Sequence, residues 1–166
     1  MKPIFFIGFM GVGKTTIGKR LGGVLDLPVI DMDQYIERIE KKAIKDIFLQ
    51  HGESYFRDLE TKVLFELQSE EAIITTGGGV VEKKANRDFL KQNDSVFHLT
   101  CTFDALWERL EGDENRPLVL NNSKDKLLGL FERRFPLYEE GSSVTIHTDH
   151  KSVDNVVQAI VPYIKS

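Results

Sequence analysis

The sequence predicts a single α/β domain built on a parallel β-sheet, and two observations carry that prediction. Short apolar, β-branched or aromatic runs alternate with longer segments of helical period, the pattern of strands joined by helices. Between the first run and the first helical stripe lies Gly8-Phe9-Met10-Gly11-Val12-Gly13-Lys14-Thr15. This stretch fits GxxxxGK[ST] in full and occupies the strand-loop-helix position that the phosphate-cradling pattern requires.

The elements follow in order. Five strands are read at residues 4–7, 28–30, 72–75, 96–99 and 144–147. Ile17, Leu21, Val24 and Leu25 mark the first helix, and another spans about residues 52–68. Leu106, Trp107 and Leu110 read as core on a third. Val153, Val156, Val157, Ile160, Val161 and Ile164 mark the last, with Ser152 as its N-cap. Residues 111–125 carry Gly112, Asp113, Asn115, Pro117, Asn121 and Asn122, a loop composition long enough to be a mobile lid, bounded at about residues 112–124. No repeat, low-complexity tract or linker divides residues 1–166, so one domain is expected.

Composition narrows the function classes. The chain has 166 residues, 41% of them hydrophobic, enough to bury its own core. A net charge of -4 with both signs mixed leaves no basic block for nucleic acid. Cys101 is the sole cysteine, which points to a reducing compartment and an inert core thiol. The apolar start, Ile4 to Met10, is too short to span a bilayer and runs straight into Lys14, Lys19 and Arg20 without a small-residue cleavage site. A soluble, cytoplasmic, monomeric protein with no membrane partner is expected. His51, His98, His147 and His150 lack ligand spacing and read as surface or strand-end residues.

The glycines of residues 8–15 let the backbone curl so that successive N–H groups point at phosphate oxygens. Gly11, Val12, Gly13, Lys14, Thr15 and Thr16 are the candidate ATP contacts. Lys14 would reach the β- and γ-phosphates, and the Thr15 hydroxyl would ligate Mg²⁺. A phosphate loop does not by itself choose an acceptor. There is no NKxD guanine motif, and the strand at 72–75 ends without a carboxylate and opens into Thr76-Gly77-Gly78-Gly79. That triplet suits a ligand seated against bare backbone at the carboxyl end of the sheet.

Asp31-Met32-Asp33 follows the second strand, so the two carboxylates are expected on one side by the two-residue period of extended chain. One would support the magnesium shell and the other the proton of an acceptor hydroxyl; an N-cap is the competing role at such a junction. Arg57 and Glu60 stand three apart on a helix and can pair, with Phe48 and Phe56 as a neighbouring apolar wall. An arginine so held suits bidentate capture of a substrate carboxylate, although surface pairs of this spacing are common. Arg134 is a second candidate anion clamp, and the spacing alone leaves it level with Arg133.

These motifs together resemble the shikimate kinases. GFMGVGKT at 8–15, DMD at 31–33, FRDLE at 56–60, TGGG at 76–79, RPL at 116–118 and RFPLY at 134–138 occur in that family's order and spacing, over nearly the whole chain. The resemblance implies a three-layer P-loop fold of the nucleoside monophosphate kinase type, with strand order 2-3-1-4-5 and a mobile lid. It implies phosphoryl transfer from ATP to the 3-hydroxyl of shikimate, with Mg²⁺. It further implies that Asp33 contacts the reacting hydroxyl, that Arg57 and Arg134 grip the carboxylate, and that Gly78 and Gly79 touch the ring, with residues 31–60 as the shikimate-binding segment. By the same resemblance Asp31 supports the metal through water, Glu60 orients Arg57, Arg116 closes onto the phosphates and Arg109 lies near the adenine. Adenine contacts at residues 149–153 stay unassigned. A kinase for another polyol acid such as gluconate, and a binding module switched by ATP, are the alternatives.

Overall fold

The computed structural model describes residues 2–111 and 123–164. Its sheet has five parallel strands: β1 (Ile4–Ile7), β2 (Val29–Asp31), β3 (Ile73–Thr75), β4 (Val96–Thr100) and β5 (Val144–His147). Their order is β2-β3-β1-β4-β5, as the resemblance implied. β1 is central, in register with β3 through Phe5↔Ile74 and with β4 through Phe6↔Phe97. Ile4, Phe5, Phe6 and Ile7 are each at most 1% exposed. An all-apolar run is what a strand covered on both faces needs, and each such side chain contributes about 1.5–3 kcal/mol on burial.

Seven helices lie among the described residues: α1 (Lys14–Leu25), α2 (Met32–Glu40), α3 (Ile44–Glu66), α4 (Lys84–Lys91), α5 (Phe103–Leu110), α6 (Lys124–Gly141) and α7 (Val153–Ile160). α1 packs on α7 and on β3, while α4 packs on α6, which also meets β4. The helix expected from about residue 52 begins eight residues earlier, at Ile44, and is broken at Gly52, whose φ of 85° and ψ of 172° are not helical. α7 opens on Ser152, whose hydroxyl accepts from the Asn155 N–H. It gives way to a 3₁₀ turn at Val161–Tyr163, because Pro162 has no N–H to continue an α-helix.

Two expectations about single residues need correction. His98 is neither at the surface nor at a strand end: it sits inside β4, 1% exposed, with its ring 5.0 Å from that of Tyr138 and 5.3 Å from that of Phe135. Burial pushes its pKa down to about 4, so the ring is neutral. Trp107 is half-buried rather than core, flanked by the buried Leu106 and Leu110. Cys101 is buried, and burial raises its thiol pKa, as an inert thiol requires. No helix among the described residues is long and apolar enough to cross a membrane.

Candidate active site

Because all five strands run the same way, the loops after β1, β2, β3 and β5 meet at one edge of the sheet, the edge where open α/β sheets bind ligands. A cavity of about 460 Å³ lies there, lined by residues 10–17, Asp31, Asp33, residues 76–78, Arg109 and Leu110, and by Thr148, Lys151, Val153 and Val156. The last four extend it along the segment after β5, which includes residues 149–153.

The phosphate loop turns through Gly11 (φ 81°) and Gly13 (φ 105°), left-handed conformations that a side chain disfavours. Gly13 is the N-cap of α1 and brings no capping side chain, so the first turn of the helix opens toward the cavity with its positive end available to an anion. Lys14 folds over the loop, its Nζ donating to the carbonyls of Gly8 at 2.5 Å and Phe9 at 3.2 Å. Arg109 reaches across from α5 and donates through Nη1 to the carbonyls of Gly11 (3.0 Å) and Val12 (3.2 Å). Its guanidinium therefore pins the loop's own backbone as well as lining the cavity.

Asp31 and Asp33 do not share a strand face. Asp31 ends β2 and caps α2, its Oδ1 accepting from the Gln34 N–H at 3.1 Å, while Asp33 lies in the first turn of that helix. Both still reach the cavity, because the turn into α2 carries Asp33 round to the glycine triplet. The Oδ2 of Asp31 also accepts from the Thr15 hydroxyl at 3.2 Å and the Thr75 hydroxyl at 3.3 Å. One carboxylate thus caps the helix and stands beside the phosphate loop. Thr15 and Asp31 form a pair of hard oxygen donors beside the phosphate loop, a donor set that fits Mg²⁺, which takes one or two protein oxygens and completes its shell with phosphate and water.

The glycine triplet makes room for charged side chains of the protein itself. A Cβ on Gly77 would stand 2.9 Å from Asp33 Oδ1 and 3.2 Å from Glu60 Oε2; one on Gly79 would overlap the Arg57 guanidinium; one on Gly78 would come within 3.6 Å of Arg134 Nη1. So Asp33, Arg57 and Arg134 converge on three consecutive residues. Arg57 Nη1 donates to Glu60 Oε1 at 2.9 Å, and its guanidinium carbon lies 5.4 Å from the Phe56 ring centre, with Phe48 4.9 Å further along that wall. Glu60 is 1% exposed, and burial lifts its carboxyl to about 7 against the pull of Arg57. Burial, aided by Asp31 and opposed by Lys14, lifts Asp33 to about 6.

The structure separates the two neighbouring arginines on α6. Arg134 is 5% exposed and directed at the triplet, whereas the Arg133 side chain is 57% exposed. Both are held by Glu82, which sequence reasoning missed. It belongs to the 3₁₀ turn Val80–Glu82 that leaves the triplet, more than fifty positions from its partners, and no local spacing connects them. Hydrogen bonds from Arg133 first and then Arg134 hold its carboxyl down at about 2. The buried Tyr138 hydroxyl donates to the Gly78 carbonyl at 2.5 Å, fixing the backbone that Arg134 approaches. Arg116 and most of the expected lid, residues 112–122, lie outside the described residues. The lid's expected end is already ordered as helix, since Ser123 caps α6 and Lys124 begins it.

A phosphate loop and a carboxylate that line one cavity of this size, with two anchored guanidinium groups at the glycine triplet beside it, form the arrangement of a P-loop kinase acting on a small anionic acceptor. Comparison with known proteins agrees. The family model for shikimate kinase matches residues 10–165. A shikimate kinase of Bacillus cereus is 43% identical over 160 residues, 96% of each chain. The solved shikimate kinase of Acinetobacter baumannii in complex with shikimate superposes with a TM-score of 0.90 at 37% identity, covering 97% of this chain and 91% of that one. A gluconokinase from Sinorhizobium meliloti covers 97% of this chain and 90% of its own at a TM-score of 0.57 and 16% identity, a likeness of fold alone. The chain belongs to the shikimate kinase family.

Proposed function

We propose that this chain transfers the γ-phosphoryl group of ATP to the 3-hydroxyl of shikimate, giving ADP and shikimate 3-phosphate on the route to aromatic amino acids. The observation that carries the reading is the convergence of Asp33, Arg57 and Arg134 on Gly77, Gly78 and Gly79 beside the phosphate loop. Two guanidinium forks suit a carboxylate, and bare backbone suits a compact ring pressed against it.

In this reading the two arginines fix the carboxylate of the ring, so that the 3-hydroxyl meets Asp33. With a pKa near 6, Asp33 is mostly ionised at neutral pH yet basic enough to accept the hydroxyl proton as the oxygen attacks phosphorus. The bond to the γ-phosphorus forms on one side as the bond to the β,γ-bridging oxygen breaks on the other, leaving ADP. Lys14 and the N-terminal turn of α1 neutralise charge on the phosphates. Magnesium held near Thr15 and Asp31 supplies further charge neutralisation when bound. Arg116 is the residue that the family resemblance assigns to the phosphates on closure.

The test is ADP release measured with shikimate, quinate and gluconate in parallel. Shikimate is expected to be turned over at least about 100-fold more efficiently than gluconate, since a site built for one set of polar groups rejects an acceptor that leaves them unpaired. Equal efficiency on gluconate would overturn the assignment of acceptor.

A further inference from the structure

We propose that Glu82 is a positioning residue for acceptor capture, setting the orientation in which Arg134 meets the substrate carboxylate. The inference rests on the reading of Arg134 given above and extends it to a residue that does not itself line the cavity.

The geometry is specific. Arg134 Nε donates to Glu82 Oε2 at 2.8 Å, while Nη1 points to the Gly78 side. A guanidinium has three edges, and a carboxylate taken at Nε leaves the terminal fork of Nη1 and Nη2 for another acid. Without a partner at Nε the group could turn about its last bonds and present the wrong edge. The Glu82 carboxylate is itself immobilised, because Arg133 grips both of its oxygens, Nη1 to Oε1 at 2.8 Å and Nη2 to Oε2 at 2.7 Å. The backbone beneath it is tied down from α4: Asn86 Nδ2 donates to the Val80 carbonyl at 2.9 Å, and Arg87 Nη1 to those of Val81 and Glu82 at 2.8 and 3.2 Å. Three carbonyls of one turn are thus satisfied by side chains. The turn that starts at the glycine triplet therefore ends in a rigid acid, and the backbone contacts and the arginine are set on one frame.

Charge points the same way. Arg133 and Arg134 are adjacent cations, and Glu82 cancels one of the two charges, so a single-carboxylate acceptor meets one net positive charge at this corner.

The experiment is a double-mutant cycle on shikimate KM. Glu82→Ala is expected to raise shikimate KM about 10-fold, as the loss of one charge-assisted orienting bond would, with ATP KM within about twofold. Glu82→Gln, which keeps shape and an acceptor, should show a smaller rise of about threefold and serves if the alanine variant folds poorly. In an Arg134→Lys background, itself raised about 10-fold or more, Glu82→Ala should add less than about twofold, because there is no fork left to orient. A purely structural role would instead lower kcat and raise both KM values to the same extent in either background. Unchanged shikimate KM in both Glu82 variants, with Arg134→Lys still raising it, would overturn the role of Glu82 alone. Unchanged KM in Arg134→Lys would overturn the reading of Arg134 and this inference with it.

Discussion

In the proposed reading, residues 11–16 supply most of the nucleotide half of the site from one uninterrupted strip of chain, whereas the acceptor half takes Asp33 from α2, Arg57 and Glu60 from α3, the glycine triplet from the end of β3, Glu82 from the next turn and Arg134 from α6. The first half works through backbone, with φ of 81° and 105° at Gly11 and Gly13 and a helix end behind them. The second works through side chains whose charges are set by one another: Glu60 beside Arg57, and Glu82 beside Arg133 and Arg134. A backbone-built subsite tolerates changes elsewhere so long as its loop is held. A subsite built from paired charges fails when one partner is lost, because the other is left buried without its counter-ion.

The largest consequence concerns Asp33. Asp33→Asn keeps the shape against Gly77 but cannot take a proton, so kcat should fall by about 100- to 10,000-fold. Affinity for a non-hydrolysable ATP analogue, titrated by calorimetry, should stay within about twofold. Turnover close to wild type would remove Asp33 from the chemistry and break the division between the halves.

A smaller effect is expected from Gly79→Ala, since the added Cβ overlaps the Arg57 guanidinium and must displace it from its place beside Glu60. Shikimate KM should rise about 10- to 100-fold, the equivalent of one charge-assisted contact, with ATP KM nearly unchanged. If both KM values rose together, the triplet would be supporting the phosphate loop rather than the arginine.

The same division explains what the sequence made legible. The phosphate loop is a contiguous pattern, and Arg57 with Glu60 is an i, i+3 pair, so both could be read from spacing. The strands at residues 4–7 and 144–147 were bounded correctly, because their apolar or β-branched runs are cut by glycine or polar residues; β2 runs one residue beyond expectation, into Asp31. Asp31 and Asp33 were found, yet by the wrong period, since a helix cap rather than an extended strand brings them together. The start of α3 was lost because Gly52 interrupts the helical pattern. Glu82 and His98 were invisible for one shared reason. Their surroundings are made by α6, far away in sequence, and only packing reveals them.

The smallest effect separates two acids within the acceptor half. Burial holds the Glu60 carboxyl at about 7 rather than 4.5, so between those values the folded protein keeps a proton that the unfolded chain has released. Its contribution to stability is fully present below about 4.5 and is lost as pH rises through 7. Glu82 has the opposite sign: held at about 2, its contribution is present above 4.5 and is lost only as pH falls toward 2. Glu60→Gln removes the first dependence, because an amide does not ionise. Relative to wild type, this variant should therefore gain about 1–3 kcal/mol of unfolding free energy between pH 5 and pH 8, measured by urea denaturation. Over the same range the gap between Glu82→Gln and wild type should stay constant, since Glu82 is ionised throughout. A constant gap for Glu60→Gln as well would mean that pairing with Arg57 outweighs burial, and that both acids carry full charge when the substrate arrives.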